Sequence, residues 1–247
     1  MIYRNVSCKS INHLMKTIDI VITRYNEYID WIRYLPIENI RNIYIYNKGP
    51  NEMFFKSYSP SDDISSKFIV KSLENIGRID HTIAYHILET WESPADIMVS
   101  LPGSVMMCRM KGAYLSYIVK NLNIIETKYK GFFSPRFHRV SRNFNYSIDN
   151  YEAQGTCNRN GSPFIKSEYS NFQEWKNAII NQVPMRFVAM RGMFAVCKEN
   201  THFVDKSIYQ RILDSVSVGD NIENGHFAER IWAHLFKCPR SAIDGIV

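Results

Sequence analysis

Residues 18–30 constrain this chain more than any other stretch. An apolar run, Ile18-Asp19-Ile20-Val21-Ile22, passes directly into the polar turn Thr23-Arg24-Tyr25-Asn26-Glu27, and apolar residues resume at Ile29, Trp31 and Ile32. Residues 43–49 repeat the design: Ile43-Tyr44-Ile45-Tyr46, then a polar Asn47-Lys48-Gly49 exit. In α/β proteins, ligand-binding groups collect at the carboxyl ends of strands, where the loops open onto a crevice. Two buried strands that each end in charged and amide side chains predict the first half of a nucleotide-binding sheet.

The rest of the chain continues the alternation. Residues 49–66 are rich in Ser, Pro, Asp and Asn and read as a loop. Phe68-Ile69-Val70 predicts a third strand. Ile79, Ile83, Ile87 and Trp91 stand four apart and predict a helix over 80–91. Ile97-Met98-Val99 predicts a fourth strand, with its exit at Ser100-Leu101-Pro102-Gly103-Ser104. Further helices are expected over 109–122, 172–180, around Ile208, Ile212 and Val216, and over 226–236. Strand character is expected from 187 to 197, around Arg191-Gly192-Met193. The stretch 131–170 has little periodicity and reads as an irregular insertion. Strands alternating with helices predict an α/β fold, with a mostly parallel central sheet covered on both faces in a single domain over 1–247.

Composition excludes several classes. The 247 residues are 45% apolar and 22% charged, enough to bury a full core. No apolar run approaches the roughly 20 residues that span a bilayer, and the first ten residues lack a signal-peptide core; residence in the cytoplasm is the expectation. Cys8, Cys108, Cys157, Cys197 and Cys238 are scattered without a CxxC pair, so neither a zinc site nor a disulfide framework is expected. There are 30 Lys and Arg against 24 Asp and Glu, a net charge of +6, which suits anionic partners. The bases and aromatics interleaved from Lys128 to Arg139 could stack on single-stranded nucleic acid, but they read equally as a half-buried loop. With no nucleic-acid motif, no nucleic-acid partner is expected.

Asn75-Ile76-Gly77-Arg78-Ile79-Asp80-His81-Thr82 opens the helix of 80–91. Unpaired amides at a helix start attract anions, Gly77 permits close backbone approach, and Arg78 can grip a phosphate bidentately. Asp80 is the expected helix cap, with His81 in the first turn. Walker A, GxGxxG, GxSxG and HExxH motifs are all missing. Asp62-Asp63 is the one pair of neighbouring acids and reads as a solvated loop.

Four motifs now stand in order: Thr-Arg-Tyr-Asn-Glu at 23–27, Tyr-Asn-Lys-Gly at 46–49, Asn-Ile-Gly-Arg-x-x-His-Thr at 75–82, and a Gly-x-Phe-Ala-Val strand at 192–196 before Glu-Arg-x-Trp at 229–232. In these the chain resembles the uncharacterised proteins of fungi, algae, large DNA viruses and some bacteria that carry a domain of unknown function related to GT-A glycosyltransferases. The resemblance covers about 18–104 and 186–236; the middle, about 110–185, matches poorly. The abundance of Ile and Asn suits an AT-rich genome such as that of a large virus, which would place the protein in the host cytoplasm.

The resemblance implies a GT-A-like, Rossmann-type sheet that binds a nucleotide-sugar donor and moves the sugar to a glycan or glycoprotein acceptor. Thr23, Arg24, Asn26 and Glu27 would line the nucleoside pocket. Asn47 and Lys48 would sit beside base or ribose, and Asn75, Gly77, Arg78 and His81 near the diphosphate. Metal-dependent members carry Asp-x-Asp at the exit of the central strand; here that place reads Leu101-Pro102-Gly103-Ser104, so no metal ligand is assigned, and Pro102, Gly103 and Ser104 would line the nucleotide-sugar site instead. Arg and Lys would then carry the leaving-group charge, although a divalent cation, manganese or magnesium, stays open. Gly192, Met193 and Phe194 would face the acceptor.

Inverting transfer needs a general base. On a helical wheel, Phe227, Ile231, Trp232, Leu235 and Phe236 form an apolar arc. Glu229 lies at its border, and His226, Arg230 and His234 lie on the polar side. A carboxylate partly desolvated by aromatics makes a better base, so Glu229 is the candidate, with Glu223, on a loop after Gly219, as the alternative. The same fold could instead bind a glycan or partner without catalysis. A hydrolase or nuclease is disfavoured by the missing acidic cluster.

Overall fold

The computed structural model describes residues 16–140, 145–149, 162–181 and 185–237. Cys8, Cys157, Cys238, the chain start and parts of the middle segment lie outside the described residues. The sheet forms from β1 (Ile18–Arg24), β2 (Ile40–Asn47), β3 (Phe68–Ser72), β4 (Ile97–Pro102), β5 (Phe132–Phe133) and β8 (Phe194–Cys197); β6 (His138–Arg139) and β7 (Phe187–Val188) make a separate ribbon. The strand order is β3-β2-β1-β4-β8-β5. The first four strands are parallel, β8 runs antiparallel to β4, and β5 antiparallel to β8. The chain winds outward from β1 to β3 and then returns to the other side of β1 as β4. The point of reversal therefore lies between β1 and β4, where a doubly wound sheet opens its crevice.

Period-2 side-chain alternation explains why both faces are covered. Ile18, Ile20 and Ile22 of β1, Ile43 and Ile45 of β2, and Ile97, Val99 and Leu101 of β4 enter one core, with Trp31, Leu115 and Ile118. Val21, Tyr46, Met98, Phe194 and Val196 enter the other, with Ile83, Trp175, Tyr209 and Trp232. The helices are α1 (Asp62–Ser65), α2 (Arg78–Glu89), α3 (Arg109–Asn121), α4 (Ile125–Tyr129), α5 (Phe172–Ile179), α6 (Lys198–Thr201), α7 (Lys206–Val216) and α8 (Glu223–Lys237). α3 and α4 lie over the first face, and α2, α5, α7 and α8 over the second.

Four expectations change. The stretch 187–197 is two strands rather than one, because Arg191 and Gly192 take φ of 75° and 60° and turn the chain between them. A Cβ on Gly192 would also meet the Ile79 side chain at 2.8 Å. Gly77, not Asp80, precedes the first turn of α2, at φ 58°; a Cβ there would stand 2.5 Å from the Val216 carbonyl oxygen. Glu223 opens α8 instead of lying on a loop. Asp62 and Asp63 stand in one exposed helical turn. The middle segment also supplies β5 to the central sheet, where Phe132 packs against Phe194 and Phe236.

Candidate functional site

The pairing register levels the strand exits: Thr23 stands opposite Tyr46 and Pro102, and Arg24 opposite Asn47. Arg24 is 1% exposed and points into the protein. Its guanidinium donates to the Glu27 carbonyl (2.6 Å), Asn47 Oδ1 (2.5 Å), the Asn51 carbonyl (2.5 Å) and the Met53 carbonyl (2.8 Å), and it lies over the Phe54 ring. Glu27 folds back to accept from the Tyr25 and Asn26 amides. Asn26 Oδ1 accepts from the Asn51 amide. The β4 exit packs closely here: a Cβ on Gly103 would meet Glu27 Oε2 at 3.1 Å, and Trp31 Nε1 donates to the Gly103 carbonyl. Ser104 accepts from Lys111 Nζ at 2.7 Å. Arg24 thus organises the loop between β2 and α1. Arg24→Met would leave four acceptors without their donor and should lower stability by about 3 kcal/mol or more, read from urea denaturation; a loss below about 1 kcal/mol would mean that water replaces the guanidinium.

Lys48 links this edge to α2. It is buried, and Nζ donates to the Ile76 and Arg78 carbonyls at 2.5 and 2.8 Å. Burial pulls its pKa down to about 7, partly opposed by the charge of Asp80. Asp80 is buried beneath the first turn, where it accepts from Trp232 Nε1 at 2.7 Å. Burial, and then the charge of Glu229, push its carboxyl up to about 7. His81 is also buried; burial and the charge of Lys48 hold its pKa at about 4, so it is neutral at pH 7. His81 Nδ1 and Thr23 Oγ1 are buried and have no hydrogen-bond partner among the described residues. Arg78 reaches His226 Nε2 at 3.5 Å and, at φ 52°, occupies the left-handed region. That backbone conformation is uncommon for a residue with a side chain and tends to occur where function requires it. Asn75 Nδ2 donates to Asp220 at 3.3 Å.

α8 closes the same edge. Twelve of its residues are buried, His226 and His234 among them, so the side expected to be polar faces protein. Glu229 remains partly exposed. It accepts from the Arg191 amide at 2.6 Å through Oε1 and pairs with Arg230 at 3.1 Å through Oε2. Arg230 also lies over the Tyr146 ring, whose hydroxyl donates to the His226 carbonyl. Glu223 is 1% exposed and accepts from the Ile148 amide (2.6 Å) and the Ser167 amide (3.0 Å), with Lys166 at 3.4 Å. It fastens two pieces of the middle segment onto α8. Met193 and Phe194 are buried, one in each core, and Gly192 lies against Ile79.

The structure therefore gathers Lys48, Asn75, Gly77, Arg78 and His81 around the start of α2, with Gly192 and Glu229 beside it, whereas Arg24, Asn47 and Glu27 are turned toward the loop of 49–58. Arg78, Arg191 and Arg230 stand at this edge with Glu229 and Asp220, while burial brings both the Asp80 carboxyl and the Lys48 ammonium to a pKa of about 7. Such an edge suits an anion. Sequence reading missed Asp80 as a buried acid, Arg191 as a turn and Tyr146 as a partner of α8. Gly192 was the one available signal, as an isolated Gly inside a strand pattern marks a break or a close backbone approach. The one group of metal-type ligands among the described residues, Glu126, Cys197 and Glu199, lies at the opposite edge of the sheet, and Glu126 there pairs with Lys16. No described helix is long and apolar enough to cross a membrane. Compared with protein-family models and with curated proteins, the chain matches none.

Proposed function

We propose that this chain is a GT-A-like transferase that binds a nucleotide-sugar at the carboxyl edge of its sheet and passes the sugar to a glycan or glycoprotein. The observation that carries this reading is the convergence of Lys48, Arg78 and His81 on the start of α2, beside the reversal point of a 3-2-1-4 parallel sheet. Helix-start amides and two cations suit a diphosphate. Neutral His81, whose buried Nδ1 has no partner among the described residues, can accept from a ribose hydroxyl or, in its other tautomer, donate to a phosphate oxygen. Glu229 would act as general base at the far side of the same edge, beside Arg191, the one partly exposed residue of the turn of 191–193, whereas Gly192 and Met193 are buried and do not face an acceptor. Arg78 and Lys48 would oppose the charge that develops on the departing diphosphate, the task a cation performs in metal-dependent enzymes.

Calorimetry with uridine, guanosine and thymidine diphosphate-sugars tests the donor site. Wild type should bind at least one of them, with chelator present as well as with manganese, and Arg78→Ala should weaken binding by about 1.5–3 kcal/mol. Unchanged affinity would remove Arg78 from the site. Binding restored only by manganese would assign the diphosphate to a metal.

A second reading, the same fold holding a glycan without turnover, is favoured by one observation: Glu223 and Glu229 both accept from backbone amides. Donor binding without release of nucleoside diphosphate would support it.

A further inference from the structure

The chain has no Asp or Glu from residue 97 to residue 125, while it carries Arg109, Lys111 and Lys120. Over the same stretch the surface is unusually apolar. Met106, Met107, Met110 and Tyr117 are 55%, 54%, 39% and 56% exposed, and Tyr34 beside them is 61% exposed. α3 is amphipathic in the ordinary inward sense: Leu115 and Ile118 are buried against the sheet. Its outer side is not simply polar. Met110, Ala113 and Tyr117 follow one another at helical spacing on the exposed side, with Arg109, Ser116 and Lys120 alongside. Between this helix and Tyr34 runs an open groove of about 580 Å³, lined by Met106, Cys108, Ala113, Val119 and Lys120 among others. Glu27, whose carboxylate packs against Gly103, accepts from the Tyr25 and Asn26 amides, Asp30 pairs with Arg33 and Glu126 with Lys16.

Isolated exposed apolar residues are ordinary, but a contiguous patch marks an interaction surface. A basic helix whose exposed side also carries Met and Tyr has the composition of an interfacial membrane helix, in which apolar side chains enter the headgroup–acyl boundary and bases meet anionic headgroups. We propose that this face, formed by 103–120 and Tyr34, seats the protein on an anionic lipid surface. The side chains fit that occupant in two ways. The flexible methionines can conform to a fluid surface, and the acid-free stretch puts no negative charge against the headgroups. Each base held near such a surface contributes about 1 kcal/mol, roughly a fivefold change in partitioning. The inference rests on this face alone and is independent of any transferase activity.

Sedimentation of the full chain with vesicles tests it. Vesicles of phosphatidylcholine containing phosphatidylserine should carry the protein down, and vesicles of phosphatidylcholine alone should carry much less. High salt should release it, since exposed charges are screened. Arg109→Glu with Lys120→Glu should reduce partitioning by at least about 25-fold. Met110→Ser with Tyr117→Ser should reduce it at unchanged salt dependence. All four positions are on the exposed side, so melting temperatures should match wild type and keep the comparison interpretable. Failure of the wild type to sediment with anionic vesicles would overturn the proposal. Concentration-dependent dimerisation that the Met110 and Tyr117 substitutions abolish, without vesicle binding, would assign the face to a second copy of the chain instead.

Discussion

Lowering the pH from 6.5 to 4 should unfold this protein. Four histidines are buried and held neutral. Burial is the main cause at each, reinforced by nearby cations. Beside His81 stands Lys48, which holds it at about 4; beside His86 stand Arg41 and Lys71, at about 3; beside His226 stand Arg78 and Arg230, at about 3; beside His234 stand Lys176 and Arg186, at about 4. A group whose pKa is depressed by folding contributes stability that is present above its unfolded value, 6.5 here, and lost as pH falls through its folded value. Asp80 acts in the opposite sense. Its pKa is raised from 3.8 to about 7, so it favours the folded state at low pH and loses that contribution as pH rises through about 7. Lys48, lowered to about 7, is protonated in both states over most of the window. Four histidines against one carboxyl leave the unfolded chain binding about three more protons between pH 6.5 and 4. The slope is then roughly 4 kcal/mol per pH unit, against a total stability of about 5–15 kcal/mol for an ordinary domain. Melting temperature followed across this range should fall steeply. His86→Phe loses the bond to the Tyr46 hydroxyl and lowers the plateau, yet it should flatten the slope by about 1.4 kcal/mol per pH unit. A melting temperature constant from pH 6.5 to 4 would mean that water reaches these rings.

Glu229→Gln should preserve the fold and donor affinity and reduce turnover by about 10²–10⁴, the contribution of a general base. Glutamine keeps an oxygen for the Arg191 amide, so the turn that Glu229 holds survives. The ion pair with Arg230 is lost; with Arg230 at 16% side-chain exposure and Glu229 at 22% it is only lightly screened, so some stability is lost, but Arg230 keeps its bond to the His226 carbonyl and its place over the Tyr146 ring. Release of nucleoside diphosphate from donor, with water standing in for the acceptor, provides a readout that needs no knowledge of the acceptor. Wild-type release would take the role from Glu229. Loss of release together with loss of donor binding would make Glu229 a support of the turn of 191–193 and not a base.

The sequence by itself determined the four parallel strands and the inward face of α2. Ile18, Ile20 and Ile22 alternate with inward residues of the opposite core, and Ile79, Ile83 and Ile87 repeat at helical spacing; both patterns are local, and burial of apolar surface enforces them whatever the neighbours are. The polar exits at 23–27, 47–49 and 75–82 were placed on one edge by the same reasoning. Tertiary structure alone decided where those polar groups point. Arg24 finds acceptors at Asn47, Asn51 and Met53, more than twenty residues onward. Asp80 meets Trp232 across 152 residues of chain, and Glu223 fastens segments 56 and 75 residues away. A periodicity shows that a residue is inside or outside. It cannot show which partner satisfies a buried hydrogen-bonding group, because that partner is supplied by packing between distant elements. The antiparallel entry of β8 beside β4, which brings the turn of 191–193 against α2, was decided at the same level.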